Sequence, residues 1–154
     1  MIFFEGGPGT GKSGGIYTMI TNIAKTIDPN VLNKSMFVHA TDSSAEKSGE
    51  KLGIKLAKGR EKFLSWISSE WKDTKHNTKI INGKKRRYLY EDSYTFDENG
   101  QLVSKWKLNE YSEDELPKFI FIDEVSHYNQ QELSMIEQFA RKNGIVVFTA
   151  GDLD

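Results

Sequence analysis

At 154 residues, the chain is long enough for one domain with a buried core and too short for two large ones. Its hydrophobic content of 37% is typical of a globular protein, and a formal net charge of −1 excludes a globally basic surface. The absence of cysteine excludes disulfides and thiolate metal sites. No apolar run is long enough for a membrane span or a signal peptide, so the composition predicts a cytoplasmic domain with no membrane partner.

The first predicted strand, Ile2–Phe4, leads directly into a glycine-rich loop. Residues 6–13 fill every fixed position of the pattern G-x-x-x-x-G-K-[ST]. In such a loop the glycines let successive backbone N–H groups point at phosphate oxygens, the lysine contacts the β- and γ-phosphates, and the hydroxyl ligates Mg²⁺. ATP and Mg²⁺ are therefore the predicted ligands. The predicted phosphate-binding residues are Gly6, Gly7, Pro8, Gly9, Thr10, Gly11, Lys12 and Ser13.

The rest of the chain alternates between helical and strand patterns, with one exception in the middle. A helix over Lys12–Ile27 is predicted to carry Ile16, Met19, Ile20 and Ile23 on one face. Short, continuous apolar strands that alternate with helices predict an α/β fold, a P-loop NTPase with a three-layer parallel sheet. The further predicted elements are strands at Ser35–His39, Phe119–Ile122 and Ile145–Thr149, and helices at Ser44–Leu52, Arg60–Trp71 and Asn129–Lys142.

Residues 74–116 break this alternation. Asn-Gly pairs at 82–83 and 99–100 stand between strand-like runs, a pattern typical of β-hairpin turns. We therefore predict a small antiparallel β-hairpin insertion at 74–116 within a P-loop domain formed by residues 1–73 and 117–154. Four cations in a row, Lys84–Arg87, stand beside the first turn.

Two carboxylates follow the apolar run Phe119–Ile122. Ligands of open α/β sheets bind at the carboxyl ends of strands, so Asp123 and Glu124 are predicted to lie at the nucleotide. Asp123 would hold Mg²⁺ together with Ser13, usually through water, and Glu124 would polarise the attacking water. Lys12 and Glu124 are the predicted catalytic residues. The strand Ile145–Thr149 and the Gly151-Asp152 pair after it form a third candidate element near the γ-phosphate.

Together these motifs resemble the first RecA-like motor domain of superfamily-1 DNA helicases, especially the RecD-like branch. Residues 6–13 match motif I of that branch, and residues 121–126 match motif II. Gly151-Asp152-Leu153-Asp154 is similar to motif III but stops one residue short of its glutamine. Residues 36–45 resemble motif Ia, with Ala40-Thr41-Asp42 where the family has Ala-Pro-Thr. The resemblance covers about residues 1–53 and 117–154.

The resemblance implies that Mg-ATP turnover drives translocation on single-stranded DNA. It also implies a DNA contact through the loop around Ala40–Ser44 and through the insertion, and a second motor domain that this sequence lacks. Without that domain, we expect these residues alone to bind nucleotide weakly and to hydrolyse it little. Two alternatives stay open: an AAA+-type ring ATPase, with Thr149 as a sensor, and a phage assembly or secretion ATPase that resembles the zonula occludens toxin family.

Several side chains allow both a functional and a structural interpretation. Arg141 could be an arginine finger or could take part in a surface salt bridge. The three histidines, His39, His76 and His127, have no metal-ligand spacing, so no metal beyond Mg²⁺ is expected. Some aromatic residues could stack bases or belong to a core. These are Trp66, Trp71, Tyr88, Tyr90 and Trp106.

Overall fold

The structure is a computed structural model that describes residues 2–5, 12–74, 78–81, 84–87, 94–96 and 98–151. Side chains are described for residues 17–71, 96, 98–102 and 105–151. Residues 6–11, predicted to form the phosphate loop, and the last three residues, 152–154, lie outside the described residues. The same holds for His76, Asn82, Gly83, Tyr88 and Tyr90.

The described elements follow one another in the alternating order that the sequence predicts. In chain order they are β1 Ile2–Glu5, α1 Lys12–Ile27, β2 Ser35–His39, α2 Asp42–Leu52, β3 Leu56–Gly59, α3 Arg60–Ile67, α4 Ser69–Thr74, β4 Thr78–Ile81, β5 Lys84–Arg87, β6 Tyr94–Phe96, β7 Leu102–Ser104, β8 Phe119–Ile122, α5 Gln130–Asn143 and β9 Val146–Gly151. Short 3₁₀ turns occupy Val31–Lys34, Glu113–Glu115 and Val125–His127.

Parallel strands form the central sheet. Four of them lie in the order β3-β2-β8-β9, and β1 pairs in parallel with the outer side of β9. In register, Val38 lies opposite Ile122, and Ile122 lies opposite Thr149. The prediction of an α/β fold with a parallel sheet is confirmed. β9 follows β8 in the chain and is inserted between β8 and β1, which determines the geometry of the candidate site.

Helices cover both faces of the sheet because successive strand side chains point to opposite faces. Met36, Val38, Ile120 and Ile122 join one buried cluster with residues of α3 and α5. Phe37 and Phe121 join a second cluster with Tyr17 of α1 and Leu52 of α2. α1 and α2 therefore lie on one face of the sheet, and α3 and α5 lie on the other.

The segment after α2 differs from the sequence-based prediction in two places. Leu56–Gly59 is a strand that the sequence analysis missed, and it forms the edge of the sheet beside β2. The single helix predicted for Arg60–Trp71 is instead divided at Ser68, which is extended and fully buried. The division is stabilised from outside the helix, since the backbone N–H of Asn109 donates to the Ile67 carbonyl at 2.8 Å.

The apolar face predicted for α1 is wrong in part. Met19 and Ile23 are more than half exposed, at 57% and 55%. The helix instead buries Tyr17 and Thr21 against the sheet, and the Thr21 hydroxyl donates to the Tyr17 carbonyl at 2.8 Å. Apolar periodicity cannot identify a face whose buried residues carry hydroxyl groups.

Short antiparallel strand pairs occur in the segment predicted as an insertion. β4 pairs with β5, and β6 pairs with β7. The residues predicted to form the first turn, 82 and 83, lie outside the described residues, so the hairpin insertion stays a prediction. Among the described helices, none is long and apolar enough to cross a membrane.

Candidate functional site

The carboxyl ends of four neighbouring strands meet at one edge of the sheet. They bring together Glu5 of β1, Gly151 of β9, the Asp123-Glu124 pair after β8, and His39 of β2. Because β9 lies between β1 and β8, Gly151 lies between the strand that precedes the predicted phosphate loop and the two carboxylates. Of the predicted phosphate-binding residues, 6–11 are not described, and Lys12 and Ser13 begin α1 without described side chains.

Asp123 continues the line of β8 at this edge. Its backbone N–H donates to the Val38 carbonyl at 3.0 Å, as in a parallel ladder. Its Oδ1 accepts the backbone N–H of Glu124 at 2.8 Å, while the side chain stays 16% exposed. The carboxylate is therefore oriented by the backbone and still partly exposed to solvent.

Glu124 has a left-handed backbone conformation, with φ 56° and ψ 51°, which is rare for a residue with a side chain. Strained backbone of this kind is concentrated at functional sites. Gly151 of the adjacent strand β9, whose φ is 133°, packs against this turn. A Cβ atom at position 151 would come within 3.1 Å of Glu124 Cα and of the Val125 nitrogen.

Two histidines face the carboxylates, an arrangement that the sequence analysis missed. His39 Nε2 is 3.4 Å from Asp123 Oδ2 and 3.9 Å from Glu124 Oε1. His127 Nε2 is 3.5 Å from Glu124 Oε2. Among the described residues, no group of three or more histidines and carboxylates is arranged to hold a metal ion. The position of His39 at the carboxyl end of β2 was the signal that could have identified it.

Tyr17 connects the helix that follows the phosphate loop to the carboxylate edge. Its hydroxyl lies 2.7 Å from the Ile122 carbonyl and 3.2 Å from the Phe148 carbonyl, so it donates between β8 and β9. Burial raises the pKa of this phenol, and the nearby charge of Asp123 raises it further. Tyr17 therefore stays a neutral donor at ordinary pH. It lies one helical turn after Ser13, a spacing that could have suggested contact with the strand ends.

The loop around Ala40–Ser44 follows β2 at the same edge. Thr41 and Ser44 form a reciprocal capping box at the start of α2. Asp42 accepts the Gly59 N–H at 2.7 Å and pairs with Lys62 at 2.9 Å, and the hydrogen bond from Lys62 lowers the pKa of Asp42. The departure from Ala-Pro-Thr at residues 40–42 thus places a carboxylate that binds the neighbouring strand β3.

Some predicted functional side chains have structural partners instead. Trp71 and Trp106 are 2% and 5% exposed, and both indole N–H groups donate within the core, to Glu132 and to the Gln131 carbonyl. Neither ring can stack a base in this arrangement. Arg141 pairs with Glu98 and Glu137, as the salt-bridge interpretation expected. Trp66 is half-buried against Tyr111 and Phe139.

The comparison with known proteins identifies no family. No protein-family model matches the chain, and no curated protein matches it.

Proposed function

We propose that the chain is an ATP-binding and ATP-hydrolysing motor module of the superfamily-1 DNA helicase type, with a RecA-like domain similar to the RecD-like branch. One observation supports this most: the strand order β1-β9-β8-β2 gathers all four candidate motif segments at one edge of the sheet. These are the strand before the glycine loop, Gly151, the Asp123-Glu124 pair and the loop after His39. A glycine-rich turn without function would not require carboxylates at this edge.

In the proposed site, the glycine loop and the start of α1 bind the phosphates. Lys12 would place its charge at the β- and γ-phosphates, Ser13 and Asp123 would hold Mg²⁺, and the ion would supply further positive charge to the phosphates. Asp123 fits this role because the backbone N–H of Glu124 holds its Oδ1 in place while the side chain stays 16% exposed at the strand end. Glu124, 42% exposed, is accessible to a water molecule that it would orient for attack on the γ-phosphate.

The proposed partner is single-stranded DNA, bound by the loop around Ala40–Ser44. This loop begins where β2 ends, directly beside the carboxylates, so a nucleic acid on it would lie next to the nucleotide. In the proposed motor, a second domain closes the nucleotide site from the other side, as in the helicases that the motifs resemble. Turnover by the 154 residues alone is then slow, and binding is the more informative first measurement.

The test is titration of the chain with a fluorescent ATP analogue, with and without Mg²⁺, followed by single-turnover hydrolysis at high protein concentration. Lys12→Ala should weaken binding at least about tenfold, since each factor of ten corresponds to about 1.4 kcal/mol of lost phosphate contact. Glu124→Gln should bind like the wild type and hydrolyse about 100-fold more slowly, the lower range for losing a general base.

Glu137→Gln is the matched control, because Glu137 is a half-exposed carboxylate on α5 paired with Arg141. It should change neither binding nor hydrolysis. Equal hydrolysis by Glu124→Gln and wild type would remove Glu124 from the reaction. If the wild type binds no nucleotide in the presence of Mg²⁺, the proposed function is wrong.

A further inference from the structure

His39 touches the candidate DNA loop with one ring nitrogen and faces the carboxylates with the other. Nδ1 lies 2.9 Å from the Ser44 hydroxyl, and Nε2 lies 3.4 Å from Asp123 Oδ2 and 3.9 Å from Glu124 Oε1. The side chain is only 17% exposed, and its ring stacks on Phe37 with an interplanar angle of 24°. The imidazole is therefore a fixed bridge between two parts of the site.

The hydrogen-bonding groups around His39 are consistent with this bridge. Two carboxylates near Nε2 favour a hydrogen on that nitrogen, which leaves Nδ1 as an acceptor at 2.9 Å for the Ser44 hydroxyl, whose one hydrogen has the Thr41 carbonyl at 3.0 Å as its other acceptor. Ser44 also accepts the Thr41 N–H at 3.1 Å, so the same hydroxyl belongs to the capping box of α2. A shift of the capping loop would move Ser44 and, through His39, the surroundings of Asp123 and Glu124.

We propose that His39 is a positioning residue that couples occupancy of the loop around Ala40–Ser44 to the geometry of the Asp123-Glu124 pair. The coupling rests on the proposed nucleotide and single-stranded DNA sites and specifies how one regulates the other. DNA on the loop favours one arrangement of Ser44 and His39, and that arrangement sets the position of Glu124. Since coupling between two binding sites is reciprocal, Mg-nucleotide must change DNA affinity by the same factor.

His127 provides a contrast within the same site. It also faces Glu124, at 3.5 Å, but it lies in the 3₁₀ turn Val125–His127, and no described hydrogen bond joins it to the loop after β2. If contact with Glu124 were sufficient for coupling between the DNA loop and the carboxylates, the two histidines would have equivalent roles. If coupling also requires the contact with Ser44, only His39 can provide it.

The coupling is measured on the 154-residue chain with a fluorescent single-stranded oligo-dT. Its affinity is determined without nucleotide and with saturating Mg²⁺ and a non-hydrolysable ATP analogue. The ratio of the two affinities is the coupling factor, and a wild-type factor of about five or more in either direction is expected. Because both affinities are measured on the same variant, a substitution that changes DNA affinity equally with and without nucleotide leaves the coupling factor unchanged.

Two conservative substitutions each keep one end of the bridge. His39→Asn keeps a polar group near the position of Nδ1, and His39→Gln keeps one near the position of Nε2. Both variants should have a coupling factor between about 0.5 and 2, which is smaller than the coupling usually seen between allosteric sites. His127→Asn is the matched control and should keep the wild-type factor.

The outcomes separate this inference from the proposed function. One contrary outcome is that the wild type binds both ligands and both His39 variants keep its coupling factor. Another is that the wild type binds both ligands without any coupling. In either case His39 does not connect the two sites, and the ATPase proposal stands. If His127→Asn loses coupling as well, contact with Glu124 alone explains the effect and the bridge is refuted. If the wild type fails to bind nucleotide or DNA, the proposed function itself fails and the coupling with it.

Discussion

At the scale of single residues, two buried tyrosines differ in what their hydroxyl groups contact. The Tyr17 hydroxyl donates between the carbonyls of Ile122 and Phe148. The Tyr128 hydroxyl is buried with no hydrogen-bond partner among the described residues, while its ring lies 5.3 Å from the guanidinium of Arg60. The same substitution by phenylalanine should therefore have opposite effects at the two positions.

Tyr17→Phe should lower the free energy of unfolding by about 1–2 kcal/mol, because a buried hydrogen bond is lost and its acceptors remain. Tyr128→Phe should raise it by up to about 1 kcal/mol, since a buried, unpaired hydroxyl is removed while the ring contact with Arg60 remains. Urea unfolding at pH 7 measures both values. Equal losses in the two variants would contradict the assignment of hydrogen bonds.

Alkaline pH tests the same pair, because burial raises the pKa of both tyrosines. Above pH 10 these phenols ionise in the unfolded chain and stay protonated in the folded one. The folded state then binds more protons, so stability falls as pH rises, by up to about 1.4 kcal/mol per pH unit for each group. Each Phe variant should lose less stability than the wild type between pH 10 and 11.

At the scale of elements, the end of β9 supports the turn that follows β8. Gly151→Ala should destabilise the protein by about 2–3 kcal/mol, because the residue has positive φ and a Cβ would press on Glu124 Cα at 3.1 Å. Gly144→Ala is the control: its φ is also positive, at 66°, but nothing lies within 4 Å of the new methyl group. It should cost only about 1 kcal/mol.

Nucleotide binding by the same variants tests whether the packing at Gly151 matters for the site. Gly151→Ala should weaken binding of Mg²⁺ and the ATP analogue several-fold, since the displaced turn carries the proposed Mg²⁺ ligand and Glu124. Gly144→Ala lies at the end of α5 and should bind like the wild type. A Gly151→Ala protein with wild-type stability and binding would show that β9 does not support the carboxylates.

The elements that the sequence predicted well are those whose own residues determine them. The strands at Ser35–His39 and Phe119–Ile122 have the predicted bounds because continuous apolar runs are typical of buried parallel strands. α5, Gln130–Asn143, lies within one residue of the predicted helix Asn129–Lys142 at each end, and it is bounded by two local signals, the Asn129 cap and the left-handed Gly144. In these cases the residues of the element and its caps were sufficient to predict its bounds.

The elements and contacts that were missed depend on distant partners. β3 is a strand because it pairs with β2, although Leu56–Gly59 has little β-propensity of its own. The break at Ser68 depends on Asn109, which is far away in the sequence. In the candidate site, the carboxylates could be predicted from their strand, but the approach of His39 depends on the order in which the strands pair.

At the scale of the whole molecule, charge is nearly balanced but unevenly distributed. The formal net charge is −1, yet four consecutive cations occupy β5, Lys84–Arg87, paired in register with β4. A chain of this charge gains little general attraction for nucleic acid, so the electrostatic part of any affinity for single-stranded DNA has to come from local cations. The helicase resemblance makes this strand one candidate for phosphate contact within the predicted insertion, and a solvated surface cluster is the alternative.

Replacing Lys84, Lys85, Arg86 and Arg87 by serine should weaken binding of oligo-dT and reduce its dependence on salt. Each phosphate contact on single-stranded DNA contributes about 0.7 to the slope of log K against log salt, so four lost contacts lower that slope by up to about 3. The control replaces four exposed lysines outside the strand, Lys25, Lys47, Lys51 and Lys55, which changes the net charge equally. If both variants lose the same affinity and slope, the effect is one of total charge, and β5 is not a DNA contact. If only the β5 variant loses them while its nucleotide affinity is unchanged, phosphate recognition is local and separate from the nucleotide site.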